Sequence, residues 1–202
     1  LGEGALDAAV TGDHNTAIGF NAMTTNTSGS SNTAVGRFAL RMNSTGDSNT
    51  AVGRSSLANN TTGNSNVALG DTALVNNTSA SNNTAIGYES LGLNTTGTDN
   101  TAAGANALDA NTTGNYNSAF GTHALSANSG GQRNVALGRG TLASNTTGSY
   151  NIGVGYAALS TQETANSNTA VGDYAARLNT TGENNVAVGT QALYANTTGS
   201  FN

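Results

Sequence analysis

Asparagine recurs at positions 15, 32, 49, 66, 83, 100, 117, 134, 151, 168, 185 and 202, a spacing of 17 kept without insertion or deletion. A fixed period of this kind marks a repeat architecture, in which each unit stacks on its neighbours. The whole chain, 1–202, reads as one array: a partial coil over 1–14, eleven 17-residue coils over 15–201, and the start of a further coil at 202. Numbering the repeated Asn as slot one, the consensus is N-T-A-V-G-x-x-A-L-x-x-N-T-T-G-x-x. Slot five is Gly in all twelve occurrences, and slots five and fifteen together hold 22 of the 27 glycines. All 17 charged residues fall in slots six, seven, ten, thirteen, sixteen and seventeen. Low charge with abundant Asn, Thr, Ser and Gly would otherwise suggest disorder, but a disordered segment needs no such discipline.

The period selects the fold. Helical hairpins fail because N-T-T-G returns every 17 residues and breaks any run longer than about two turns. Stacked β-hairpins favour Asn-Gly or Asp-Gly turns, and with 31 Asn and 27 Gly neither dipeptide occurs. The reading that remains is all-β: a β-solenoid, or parallel β-roll, with one 17-residue coil per repeat. Each slot then lies about 4.8 Å from its copy, and twelve coils make a rod of roughly 55 Å. One inserted residue would flip every later side chain, which explains the rigid period.

Local roles follow from residue type. The strand is placed over slots one to five, with a second, shorter strand over slots eight to twelve. Asn15, Asn32, Asn49, Asn66, Asn83, Asn100, Asn117, Asn134, Asn151, Asn168 and Asn185 are expected to form a structural amide ladder; slot twelve, Asn in ten of twelve cases, is expected to form a second. Gly19, Gly36, Gly53, Gly70, Gly87, Gly104, Gly121, Gly138, Gly155, Gly172 and Gly189 are expected at corners, where a missing Cβ permits positive φ or close approach. Leu40, Leu57, Leu74, Leu91, Leu108, Leu125, Leu142, Leu159 and Leu193 are the expected core. Thr at slots thirteen and fourteen is expected to add hydroxyl contacts or a turn.

Slot three is Ala in ten of eleven units and slot four is always apolar. Neighbours on a strand point to opposite faces, so one of the two faces something outside the coil. Slots eight and nine, usually Ala-Leu, are read the same way, against the alternative that a short helical turn puts both inside. An aliphatic stripe along the whole array is a surface that soluble monomers avoid, and parallel self-association around it is the expectation.

Asn32 to Leu40 and Asn185 to Leu193, each N-T/V-A-V-G-x-x-A-L, resemble the head repeat of YadA-like trimeric autotransporter adhesins. Similar arrays with N-T-T-G occur in phage and phage-like tail-fibre proteins. The resemblance covers the whole chain and implies a left-handed parallel β-roll, a homotrimer acting as an attachment rod on a bacterial surface or virion, extracellular in either setting. The coil is longer than the usual adhesin head repeat because of the N-T-T-G segment. Two other readings stand beside it: a subunit of a self-assembling extracellular filament, and an ice-binding solenoid. Slot two, however, is Thr in only six of eleven units.

Chemistry is sparse. Without Cys there is no disulfide or thiol catalysis. A net charge of −5 with six Arg and no Lys argues against nucleic acid or an anionic membrane surface. No run of eighteen apolar residues occurs, so this segment is not expected to contact a membrane. The acids Glu3, Asp7, Asp13, Asp47, Asp71, Glu89, Asp99, Asp109, Glu163, Asp173 and Glu183 are scattered, and no two share a slot in consecutive coils. His14 and His123 occupy different slots. No catalytic, cofactor-binding or metal-binding residue is therefore expected, and no enzyme. The chain opens on Leu1 without a signal-like segment and reads as part of a longer one. Slots twelve and thirteen weaken to Ala9 and Val10 in the first unit, hinting that the array begins nearby, while the near-consensus last unit suggests that it continues. Aromatic residues enter variable slots: Phe20, Tyr88 and Tyr156 in slot six, Phe38 and Tyr174 in slot seven, Tyr116, Tyr150 and Phe201 in slot seventeen. Only Phe120 enters an expected core slot. These rings either meet a receptor or sugar, or cover a groove between chains.

Overall fold

The computed structural model describes residues 2–8 and 11–202; Leu1, Ala9 and Val10, with the weakening of the first unit at slots twelve and thirteen, lie outside the described residues. Eleven three-residue strands, from β1 (Thr16–Ile18) to β11 (Val186–Val188), form one parallel sheet in sequence order. Thr16 pairs with Thr33, Ala17 with Ala34 and Ile18 with Val35, and the same 17-residue offset holds through Val171 and Val188. The chain is an all-β solenoid in which every coil templates the next.

The strand occupies slots two to four rather than one to five. Its ends are set by what flanks it: slot-one Asn uses its backbone N–H on the preceding Asn side chain, and slot-five Gly turns away at φ near +130°. A Cβ on Gly36 would lie 2.5 Å from the Gly53 carbonyl oxygen, so φ and stacking both demand glycine there. Slot fifteen has no positive φ; there a Cβ on Gly97 would run into the Gly114 carbonyl and Asn94 Oδ1.

No second strand exists at slots eight to twelve among the described residues; slots six to eleven are turns. The cause lies in the backbone. Slots seven, nine and seventeen take positive φ in every coil, as at Phe38 (62°), Leu40 (49°) and Ser48 (57°). Left-handed residues cannot continue a strand, and an L side chain held there costs of order 1–2 kcal/mol. In return, each aims its N–H along the rod. Phe38 donates to Phe20 O at 2.9 Å, Leu40 to Ser56 O at 3.0 Å, and Ser48 to Ser30 O at 2.9 Å. The strain is tolerated because it converts backbone donors that would be buried and unpaired into bonds between coils.

The same geometry corrects the inside–outside pattern at slots eight and nine. Both Ala39 and Leu40 are fully buried, because the left-handed turn at Leu40 swings its side chain inward beside Ala39. The core is therefore a column of Ala at slot three facing Ala and Leu at slots eight and nine. Slot four, by contrast, points out, and Phe120 with it: that ring is exposed rather than in the core.

Candidate interaction surface

Two amide columns hold the interior. Asn32, Asn49, Asn66, Asn83, Asn100, Asn117, Asn134 and Asn151 of slot one are wholly buried, Asn168 and Asn185 nearly so, and Asn15 at the first coil is half-buried. Asn49 N donates to Asn32 Oδ1 at 2.9 Å, and Asn49 Nδ2 reaches Gly63 O at 2.8 Å. In slot twelve, Asn60 Nδ2 donates both to Asn43 Oδ1 at 2.8 Å and to Gly63 O at 3.0 Å. Both columns thus converge on one slot-fifteen carbonyl in each coil. Slot thirteen adds a third column, in which Thr61 Oγ1 donates to Thr78 O at 2.9 Å and Ser44 Oγ to Thr61 O at 2.9 Å.

Among the described residues the slot-twelve column breaks once. Gln162 replaces Asn, donates to Ala165 O at 3.0 Å and accepts from Asn168 Nδ2 at 2.8 Å. Asn145 Oδ1, which would meet the next Asn, is left buried without a donor.

Every slot-five Gly from Gly19 to Gly189 sits at a positive-φ corner. Leu40, Leu57, Leu74, Leu91, Leu108, Leu125, Leu142 and Leu159 are buried, whereas Leu193, in the last coil, is only partly covered. These residues build the frame; what a partner can touch lies outside it.

The outer face of the sheet carries slots two and four. Ile18, Leu69, Ile86, Phe120, Leu137, Val171 and Val188 project from slot four, and Val135, Ile152 and Val186 from slot two, all with a third or more of their surface open. The result is one aliphatic stripe running the length of an eleven-stranded parallel sheet. Parallel sheets are ordinarily covered on both faces.

Across the glycine corner, slots six, seven and ten carry most of the aromatic and arginine side chains. Phe20 and Phe38 meet edge to face with centroids 5.6 Å apart, and Tyr156 and Tyr174 do the same at 5.1 Å. Arg41 lies 5.3 Å from the Phe38 centroid and Arg177 5.1 Å from that of Tyr174. In slot seventeen Arg133 lies between Tyr116 and Tyr150, 5.5 Å from each, and donates to the Tyr150 hydroxyl at 2.7 Å. Arg54 pairs with Asp71 at 2.8 Å, the one ion pair among the described residues. No family model, curated protein or solved structure matches this chain.

A cavity of about 290 Å³ opens where Gly92 leaves slot ten without a side chain; Thr72, Val75, Glu89, Leu93 and Asp109 are among its lining residues. Burial pushes the Asp109 carboxyl above its ordinary range, against its backbone hydrogen bonds and the nearby His123. Glu89 accepts from Asn106 Nδ2 at 3.2 Å. Among the described residues no group of three or more His, Asp or Glu could hold a metal ion. The arginines over the rings went unread in the sequence, as did Tyr194, whose hydroxyl accepts from Arg177 at 3.3 Å. Arg41 and Arg177 stand eight whole periods apart, as do Phe38 and Tyr174 beneath them.

Proposed function

We propose that this chain is a non-enzymatic structural and adhesive rod, a parallel homotrimer of left-handed β-rolls displayed outside a bacterial cell or on a virion for attachment. The observation that carries the reading is the aliphatic stripe at slots two and four. It runs through all eleven strands, it is fed by residues with no role inside the coil, and it lies on a sheet face that water would otherwise wet throughout. Packing three such stripes together removes them from solvent and leaves the charged slots outside. Interrupted hydroxyls at slot two, with Val67, Val135, Ile152 and Val186 among them, support contact with protein over matching of an ice lattice.

The test is light scattering of the purified chain, with a mass of three times 19.9 kDa expected. Leu69→Lys with Ile86→Lys adds charge to the stripe at side chains that are exposed in a single chain, so the variant should fold and dissociate. A compact monomer in the unsubstituted protein would overturn the trimer.

A further inference from the structure

Four variable slots repeat together at a separation of 136 residues, eight whole coils. Phe20, Phe38, Arg41 and Met42 are matched by Tyr156, Tyr174, Arg177 and Leu178. In both sets the slot-six ring is propped edge-on by the slot-seven ring of the next coil, and the slot-ten arginine lies over that propping ring. The slot-six rings themselves stay open, 41% for Phe20 and 40% for Tyr156, and Met42 and Leu178 are also exposed. These slots vary freely elsewhere, so a four-residue recurrence with one geometry points to one task performed twice.

The neighbours define the ligand. Along slot six, Phe20 has Glu3 in the coil before it and Arg37 in the coil after; Tyr156 has Arg139 before and Asp173 after. The order is reversed, but each ring stands between one carboxylate and one guanidinium. Arg37 lies 5.9 Å from the Phe20 centroid and 4.4 Å from that of Phe38, and Arg139 lies 5.8 Å from that of Tyr156. Asp173 Oδ1 accepts from Tyr156 N at 2.8 Å, and its other oxygen makes no hydrogen bond among the described residues. A flat apolar face flanked at coil spacing by an acceptor and a donor suits a pyranose: its C–H face covers the ring while hydroxyls donate to the carboxylate and accept from the guanidinium. A polyphosphate fits poorly, since each site carries an acid and the chain is net negative.

We propose that these are two equivalent platforms for a neutral pyranose polysaccharide lying along the rod, about 38 Å apart at the coil repeat. The proposal rests on the attachment reading and names its ligand class. Tyr88, the third slot-six tyrosine or phenylalanine, is open but has Asn106 where the propping ring would be and Asp109 where the arginine would be. It serves as an internal control.

The full chain is titrated calorimetrically with the β-1,4-linked hexasaccharides of glucose and of N-acetylglucosamine. Saturable binding of at least one of them at two sites per chain is expected. Phe20→Ala or Tyr156→Ala should halve the stoichiometry, Arg41→Gln should weaken its own site by about tenfold, and Tyr88→Ala should change nothing. These side chains are exposed or partly so, and an unchanged thermal midpoint certifies each variant. No saturable binding of either sugar, or a stoichiometry indifferent to both ring deletions, overturns the platforms. Light scattering on the same samples separates the failures: a trimer that ignores sugar refutes only the platforms, and a sugar-binding monomer refutes only the trimer.

Discussion

Gly153 is the one glycine in slot three, and Thr141 the one threonine in slot eight. They touch: a Cβ built on Gly153 falls 2.5 Å from Thr141 Cγ2, while its next neighbours, Leu142 Cγ and the Ala158 oxygen, stand at 3.5 and 3.6 Å. The threonine methyl fills the volume that the glycine vacates. Gly153 does not take positive φ, so its backbone accepts alanine without strain. Gly153→Ala alone therefore overpacks a buried column, at about 1–3 kcal/mol, offset by about 0.4–1 kcal/mol from the stiffer unfolded chain. Thr141→Ala alone removes a buried methyl and the hydroxyl bond to Gly155 O, at about 1–2 kcal/mol. The double variant restores the Ala–Ala pairing of most other coils and should return to within about 0.5 kcal/mol of the starting protein. The coupling is then about 2 kcal/mol, or roughly 4–8 °C in midpoint for a chain of this length. Thermal melts of the four proteins measure it, and additive losses would refute the packing argument.

Gln162→Asn should stabilise the rod by about 1 kcal/mol, because an Asn Nδ2 at that position would reach Asn145 Oδ1, now buried without a donor; an unchanged or lower midpoint counts against the ladder. Asp109 is raised by burial, so the folded chain holds its proton more tightly than the unfolded one. That contribution is present at low pH and is lost as pH rises through the folded value. Asp109→Asn should accordingly raise the midpoint at neutral pH, with the advantage shrinking as pH falls into the carboxylate range; a difference that stays constant across the titration contradicts the assignment.

The period, the parallel stacking and the glycine corners were legible because each is a constraint on residue type. No residue but glycine survives at Gly36, so the slot announces itself. Leu40 announces nothing of its kind. Leucine has no preference for left-handed φ, and the conformation is imposed by the bond from Leu40 N to the next coil, a cause that exists only once coils are stacked. The turn that replaced the expected second strand, and the inward swing of both slots eight and nine, follow from that one unreadable dihedral. The aromatic sites were half legible: the rings stood out singly, but Arg41 and Arg177 looked like two ordinary charges until the coils brought them over Phe38 and Tyr174.

The three left-handed residues of each coil place their hydrogen bonds on the coils above and below, so no bond pattern depends on where along the rod a coil lies. Excising any 17 consecutive residues, begun at any slot, would leave every backbone column continuous across the splice. Length is thereby a free variable, adjustable in steps of about 4.8 Å by unequal exchange between near-identical stretches of gene. Only the features written in the variable slots would register the change. The two ring platforms, fixed eight steps apart, are graduations on what is otherwise an unmarked ruler.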